Sequence, residues 1–327
     1  ISSVGKLMSI TQIVLSEYQS MKSSLRMLIL TDFIKKDLLS VISSDDPIET
    51  MGTVPIFETL RRENIANLKI AVLSGSLVIV PNDIIPNLRS ISGQFAIDFN
   101  FNPIKNCGYS EILFSGTNKS KVKLMTEAFQ NGLIEVLIGT KSLLGEGWDS
   151  PCINSMILAS FVGTFVISNQ MRGRAIRIDP EQSDKTANIW HLVTIEPTQL
   201  LSQHRLKKFA STIIPQTHVA EGVDFELMKR RFKTFYAPSY QEDTIENGIE
   251  RLTAIKPPFT LKNINLINEQ MLALSNKRSE LSAHWKGILK NDPLPQIIEI
   301  NEIPKKVVPV NFIFINLLNS SILLVFS

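Results

Sequence analysis

The sequence predicts an α/β protein: a parallel sheet with helices on both faces, an edge insertion at about 45–108, and a mainly helical region over 196–327. Three observations predict it. Short, nearly continuous apolar runs recur through 1–195, as strands covered on both faces require. Stretches with helical apolar spacing separate those runs, the alternation that builds a parallel sheet. Beyond about 197 the pattern turns helical and irregular, without internal repeats.

Each element has its own reason. Residues 5–23 place Leu7, Ile10, Ile13, Val14 and Tyr18 at helical spacing, which predicts a docking helix with one buried face. The apolar run 25–31 reads as a core strand, and Asp32 is placed to cap a helix starting near Phe33. Between 45 and 108 the rhythm breaks into a helix at 55–63, a β-rich run at 68–81, Pro86 and an aromatic stretch at 95–101. This reads as an insertion at the sheet edge, of no legible role. The strand–helix unit returns at 111–116 and 118–131, where Asn131-Gly132 marks a helix end. Strands at 133–139 and 153–159, a helix at about 165–176 and a strand at 187–194 complete the series. Helices are expected at 198–210, 223–235, 241–253 and 264–289. Residues 310–327 approach the length of a membrane span, but Asn311, Asn316 and Asn319 interrupt them, so a buried strand or helix is expected.

Composition narrows the class more than the function. With 44% hydrophobic and 20% charged residues in 327, long disorder, collagen and a disulfide scaffold fit poorly. Lysine and arginine balance aspartate and glutamate at 18 each over 1–195, and exceed them 16 to 13 over 196–327, a slight lean toward polyanions. Cys107 and Cys152 form no Cys-x-x-Cys pair and lack spaced histidines, which argues against structural zinc and for a reducing, cytoplasmic setting. The start, Ile-Ser-Ser-Val, has neither methionine nor a basic-then-apolar leader and reads as a cut inside a longer protein.

Two clusters carry chemistry. Ile138-Gly-Thr-Lys-Ser-Leu-Leu-Gly-Glu-Gly-Trp-Asp149 follows a strand directly, and Gln170-Met-Arg-Gly-Arg-Ala-Ile-Arg177 lies on the next helix. Cleaving a terminal phosphate needs cations around its oxygens, and an arginine delivered from a neighbouring domain is worth roughly 10³–10⁵ in rate. Arg174 and Arg177, three apart on a helix, share a face and can address one phosphate. Gln170, one turn before Arg174, can hydrogen-bond a nucleotide, and Gly173 leaves room for an opposing surface. Gly145 and Gly147 permit a tight turn, and Asp149 suits a ribose hydroxyl.

These clusters resemble motifs V and VI of superfamily 2 helicases and nucleic-acid translocases, of the DEAD/DEAH-box and restriction-helicase type. Four fixed positions in Gln-x-x-Gly-Arg-x-x-Arg arise by chance in such a chain on the order of once in several hundred. The likeness reaches upstream to Leu28-Ile-Leu-Thr31, similar to motif IV, and to Leu113-Phe-Ser-Gly116, similar to the segment before motif V. It covers 1–195 apart from the insertion. It implies the second RecA-like domain of an ATP-dependent motor, with Arg174 and Arg177 as arginine fingers and Gly147, Asp149, Gln170 and Gly173 on the nucleotide side. Thr31, Gly116 and Thr140, at strand ends, would then meet the nucleic-acid backbone through main-chain amides.

The departures define what is missing. No Gly-x-x-x-x-Gly-Lys-Ser/Thr loop and no Asp-Glu dipeptide occur, so ATP and magnesium would be held by an absent N-terminal RecA-like domain, and no metal site is expected in this chain. Met171 replaces a common arginine, and Ala175-Ile176 replace a small pair, a lean toward DNA over RNA. The alternative is a non-catalytic nucleic-acid-binding or scaffold module that keeps helicase-like motifs. Trp148 and His191 read as structural. Lys207-Lys208 and Lys229–Arg231 with Lys233, beside Phe232, Phe235 and Tyr236, present a second basic–aromatic stretch, with an ordinary amphipathic helix as the plainer reading.

Overall fold

The computed structural model describes residues 2–65, 67–144, 148–160, 165–182, 184–195, 222–238, 245–249, 252, 254–257 and 259–289. Its centre is one eight-stranded sheet made of β1 (Met27–Thr31), β2 (Ile70–Leu73), β3 (Val78–Pro81), β4 (Phe99–Pro103), β5 (Tyr109–Phe114), β6 (Val136–Thr140), β7 (Ser155–Leu158) and β8 (Asn188–His191). The order is β4-β5-β3-β2-β6-β1-β7-β8. From β2 to β8 all neighbours are parallel, and β1, β2, β6 and β7 are buried at every position. Continuous apolar runs are what two covered faces demand.

One face carries α3 (Ile85–Gln94), α4 (Asn118–Gln130) and, beyond the one-turn helix α5 (Lys141–Leu144), α6 (Phe165–Ala175); α3, α4 and α6 bury Leu88, Leu124, Phe129 and Met171 over Leu30, Ala71 and Leu137. The other carries α1 (Ser2–Met21) and α2 (Thr53–Arg62), with Ile10, Val14, Phe57 and Leu60 over Ile29, Val72 and Ile138. The fold is thus the expected α/β sheet with helices on both faces. Gly132 ends α4 at φ +76°, where a Cβ would also collide with the Arg26 guanidinium.

Four expectations need correction. The segment 45–108 is not confined to the edge, because β2 sits between β3 and β6 inside the sheet, as the last strand of the parallel run. Only residues from β3 to β5 form the antiparallel flank, and the turn that starts it is closed by Ser74, whose Oγ donates to the Leu77 carbonyl and accepts from its amide. Asp32 caps no helix; its carboxylate is drawn to Lys141, and the next ordered turn is a 3-10 helix at Lys36–Val41. Over 241–253 the described residues include a strand, β10 (Ile245–Asn247), paired antiparallel with β9 (Tyr236–Pro238). The span 264–289 divides into α8 (Leu261–Ser275) and α9 (Arg278–Leu289), broken at Asn276-Lys277.

The later elements are tied to the sheet by a buried polar knot. Glu17 on α1, 1% exposed, accepts from Asn188 Nδ2 at 2.8 Å, Trp190 Nε1 at 2.9 Å and Arg278 Nη2 at 2.6 Å. Arg278 also donates to the Thr186 and Asn154 carbonyls, so α9 is fixed to the starts of β7 and β8. Helix α7 (Val223–Phe232) docks Phe225 and Met228 against Val193, Ile195 and Phe259. The expected helix at 198–210 and the segment 310–327 lie outside the described residues. No described helix is long and apolar enough to cross a membrane.

Candidate functional site

Parallel strands aim their carboxyl ends at one edge, where ligands of open α/β sheets gather. At that edge Thr31 and Thr140 face each other in register as the last residues of β1 and β6. Both are buried and engaged within the chain. Thr31 Oγ1 lies 2.9 Å from Ser160 Oγ, which also accepts the Asp32 amide at 3.1 Å. Thr140 Oγ1 accepts from Ser142 Oγ at 3.3 Å. What this edge offers outward is therefore main chain and the Asp32–Lys141 ion pair rather than threonine hydroxyls.

Gly116 ends its segment at the same edge but elsewhere along it. Strand β5 runs in the direction of β2, yet it lies three places from β6. At the usual strand spacing that is roughly 14 Å from Thr140. The strand end beside Thr140 is instead that of β2, at Ser74-Gly75, where the Gly75 carbonyl accepts from the buried Lys121 ammonium. Gly116 also meets only Ser120 at ordinary contact distance, so packing does not require glycine there.

The second cluster is brought onto the first. Trp148 is buried and donates from Nε1 to Thr126 Oγ1 at 2.6 Å, which fixes the backbone before Asp149. Asp149 then pairs with Arg177, both side chains about half exposed. Arg177 follows the end of α6, while Arg174 lies on the helix and is 7% exposed, so the two arginines differ in environment. Burial pushes the Arg174 guanidinium down, with Arg177 pushing the same way and Asp149 opposing; the group stays cationic. Gln170 is exposed, and a Cβ on Gly173 would meet nothing within 4 Å, so that face of α6 is open to a neighbour. Gly147 lies outside the described residues.

Several residues here escaped the sequence reading. The Lys185 ammonium donates to the Pro151, Ile153 and Ala175 carbonyls, joining the loop after Asp149 to the last turn of α6. Burial pushes this lysine down, against the pull of Asp179, Cys152 and Asp149. Nothing local in the sequence signals such a role. Lys141, directly after Thr140, pairs with Asp32 because β1 and β6 are neighbours, a contact that sequence spacing does not show. Arg172 stacks over Phe235 at 4.6 Å and Phe232 at 5.7 Å, so those aromatics pack on α6. Lys229 pairs with Glu226 and lies over Phe225, which makes α7 the plainer amphipathic helix. His191 sits in β8 edge-on to Phe232, and burial, with Arg172 and Arg231 nearby, pushes its imidazole down to about 4. Among the described residues no group of three or more His, Cys, Asp or Glu is placed to hold a metal ion.

The arrangement thus sets one exposed cation, a second buried beside it and a carboxylate in one corner, by the end of α6 and ahead of β7, with an exposed amide side chain one turn earlier on the helix. Such a corner can bind a phosphate chain presented from an adjoining surface.

No family model matches this chain, and no curated protein matches it. Among solved structures it is similar to the Pyrococcus furiosus Hef helicase domain, at 15% identity and TM-score 0.31 over 63% of this chain and 28% of that one. It is similar to T4 UvsW at 11% identity and TM-score 0.34, over 70% and 32% of the two chains. It is also similar to S. cerevisiae Dbp5 bound to RNA and ADP BeF3, at 12% identity and TM-score 0.31, over 68% and 40%. The chain spans less than half the length of each of these structures.

Proposed function

We propose that residues 1–195 are the second RecA-like domain of an ATP-dependent nucleic-acid helicase or translocase, and that 196–327 form an accessory region docked on it. The observation that carries this reading is the Arg177–Asp149 pair with Arg174 beside it, which joins the two helicase-like motifs.

ATP and magnesium would be bound chiefly by a preceding RecA-like domain, and this chain supplies the opposing wall. Its residues fit that part: Arg177 is half exposed, Gln170 is exposed and Gly173 leaves the helix face clear. ATP supplies the phosphoanhydride whose cleavage drives the motor. As the domains close, Arg177 leaves Asp149 and places its guanidinium on the developing negative charge, with Arg174 holding the local potential positive. Asp149, released, accepts from a ribose hydroxyl, while Gly147 and Gln170 complete the nucleotide wall. Main-chain amides beside Thr31 and Thr140 grip the nucleic-acid backbone without reading sequence, with Gly116 as a more distant contact; DNA is favoured over RNA. Opening and closing of the cleft then moves the grip along the strand.

The test is magnesium-dependent ATP hydrolysis by this chain joined to the proposed preceding domain, with and without nucleic acid, for the wild type and Arg177→Ala. The motor reading expects hydrolysis in the wild type and its loss in the variant. A scaffold that only binds nucleic acid shows none in either.

A further inference from the structure

Strand β4, with helix α3 beside it, is the part of the antiparallel flank that the motor reading does not use. It carries an aromatic–cation surface. Strand β4 is the edge strand, and its residues from Asn100 to Pro103 are exposed. Phe101 keeps 36% of its surface in solvent, with the exposed Arg89 guanidinium 5.6 Å from its ring centre and 5.3 Å from that of Phe99. Next to it, the Lys123 ammonium lies 3.8 Å over Phe95, at the end of α3.

Position and charge point to one kind of partner. Phe99 pairs with Phe114 at the carboxyl end of β5, which runs with β2, so this surface continues the edge that holds Thr31 and Thr140. Helix α3 and the first two turns of α4 contain Arg89, Lys119, Lys121 and Lys123 and no acidic residue; Asp98 is the acid in the turn between α3 and β4. A polar, cationic face with a solvent-exposed aromatic ring is the pattern that holds single strands, where bases stack on rings and cations track phosphates. Addition of a protein strand to β4 is disfavoured by Pro103, which has no N–H to donate, and by the two exposed asparagines.

We propose that the face built by α3, β4 and the start of α4 binds single-stranded nucleic acid, with a base stacked on Phe101 and phosphates held by Arg89 and Lys123. It lengthens the track along the sheet edge and does not depend on the nucleotide-binding reading.

The experiment is a fluorescence-anisotropy titration of the 327-residue chain with labelled oligo-dT and oligo-U across a salt series. Phe101→Ala is expected to weaken binding roughly tenfold at unchanged salt slope, the loss of one stacked base. Phe101→Trp should restore it. Arg89→Ala combined with Lys123→Ala should flatten the slope by about two counterions. The dT and U arms tell DNA from RNA, and binding of either strand with these effects supports the proposal. Thermal melts establish that the variants fold; should Phe101→Ala not fold, the Arg89/Lys123 pair, whose charges are at the surface, decides alone. Absence of binding by the wild type, or binding that these variants leave unchanged, overturns it. So does self-association through β4 without nucleic-acid binding.

Discussion

Arg174 and Arg177 look equivalent in the sequence, three residues apart with the same chemistry, and the structure separates them. Arg177 lies past the helix end in an ion pair open to solvent, whereas Arg174 is packed beneath it. A half-exposed pair contributes little to stability, so Arg177→Ala in this chain should change the unfolding free energy by less than about 1 kcal/mol. Arg174→Ala removes a packed stem as well as a charge and should cost about 1–3 kcal/mol. Urea unfolding of the two variants checks the order, and a larger loss at Arg177 would contradict it. His191 gives a pH signature. Its folded imidazole is held near 4, below the ordinary 6.5, so the unfolded chain binds the proton first as pH falls. Stability is complete above about 6.5 and is lost toward 4, by an amount on the order of 3 kcal/mol. In His191→Asn that loss should be smaller, as followed by denaturant midpoints at each pH. Residue identity was enough to single out Arg174, Arg177, Asp149 and Gln170 as candidates, because their spacing is the signal. It was not enough to tell which of them is buried, since that depends on Met171 and Ala175 turning inward on the same helix.

Among the elements, apolar runs and helical spacing marked most strands and helices, because burial on two faces leaves no other pattern. Pairing was less legible. Ile70–Leu73 is as apolar as any central strand, but its neighbours are set by contacts remote in sequence, so the run at 68–81 revealed β structure without revealing that β2 lies inside the sheet. The displacement of Gly116 has the same origin: Leu113-Phe-Ser-Gly116 ends a strand, but the strand closing against Thr140 is β2. Lys185 shows a further limit, since its acceptors are backbone carbonyls and carry no side-chain signature. Lys185→Met would leave those carbonyls unpaired and should cost about 2–3 kcal/mol. Hydrogen exchange should rise together in the loop after Asp149 and at the end of α6; a rise in only one of them would contradict a shared anchor.

For the whole molecule, the Glu17 knot decides whether the late helices move with the sheet. Glu17→Ala leaves Arg278 buried without its carboxylate and should destabilise the chain by about 3–5 kcal/mol, read as a lowered melting temperature with altered Trp190 emission. A chain that melts as the wild type does would mean that α9 is not fixed through this contact. The near balance of charge, bland as composition, is compatible with the proposed grip on a nucleic-acid backbone through amides and a few placed cations. The central claim is that the corner formed by Asp149, Arg174 and Arg177 completes a nucleotide site shared with a preceding domain. Its most direct test is the nucleic-acid-stimulated rate of ATP hydrolysis by this chain joined to the proposed preceding domain, with and without Arg177→Ala. A fall of about 10³-fold or more, with circular dichroism unchanged, is the predicted result; turnover equal to the wild type would contradict it.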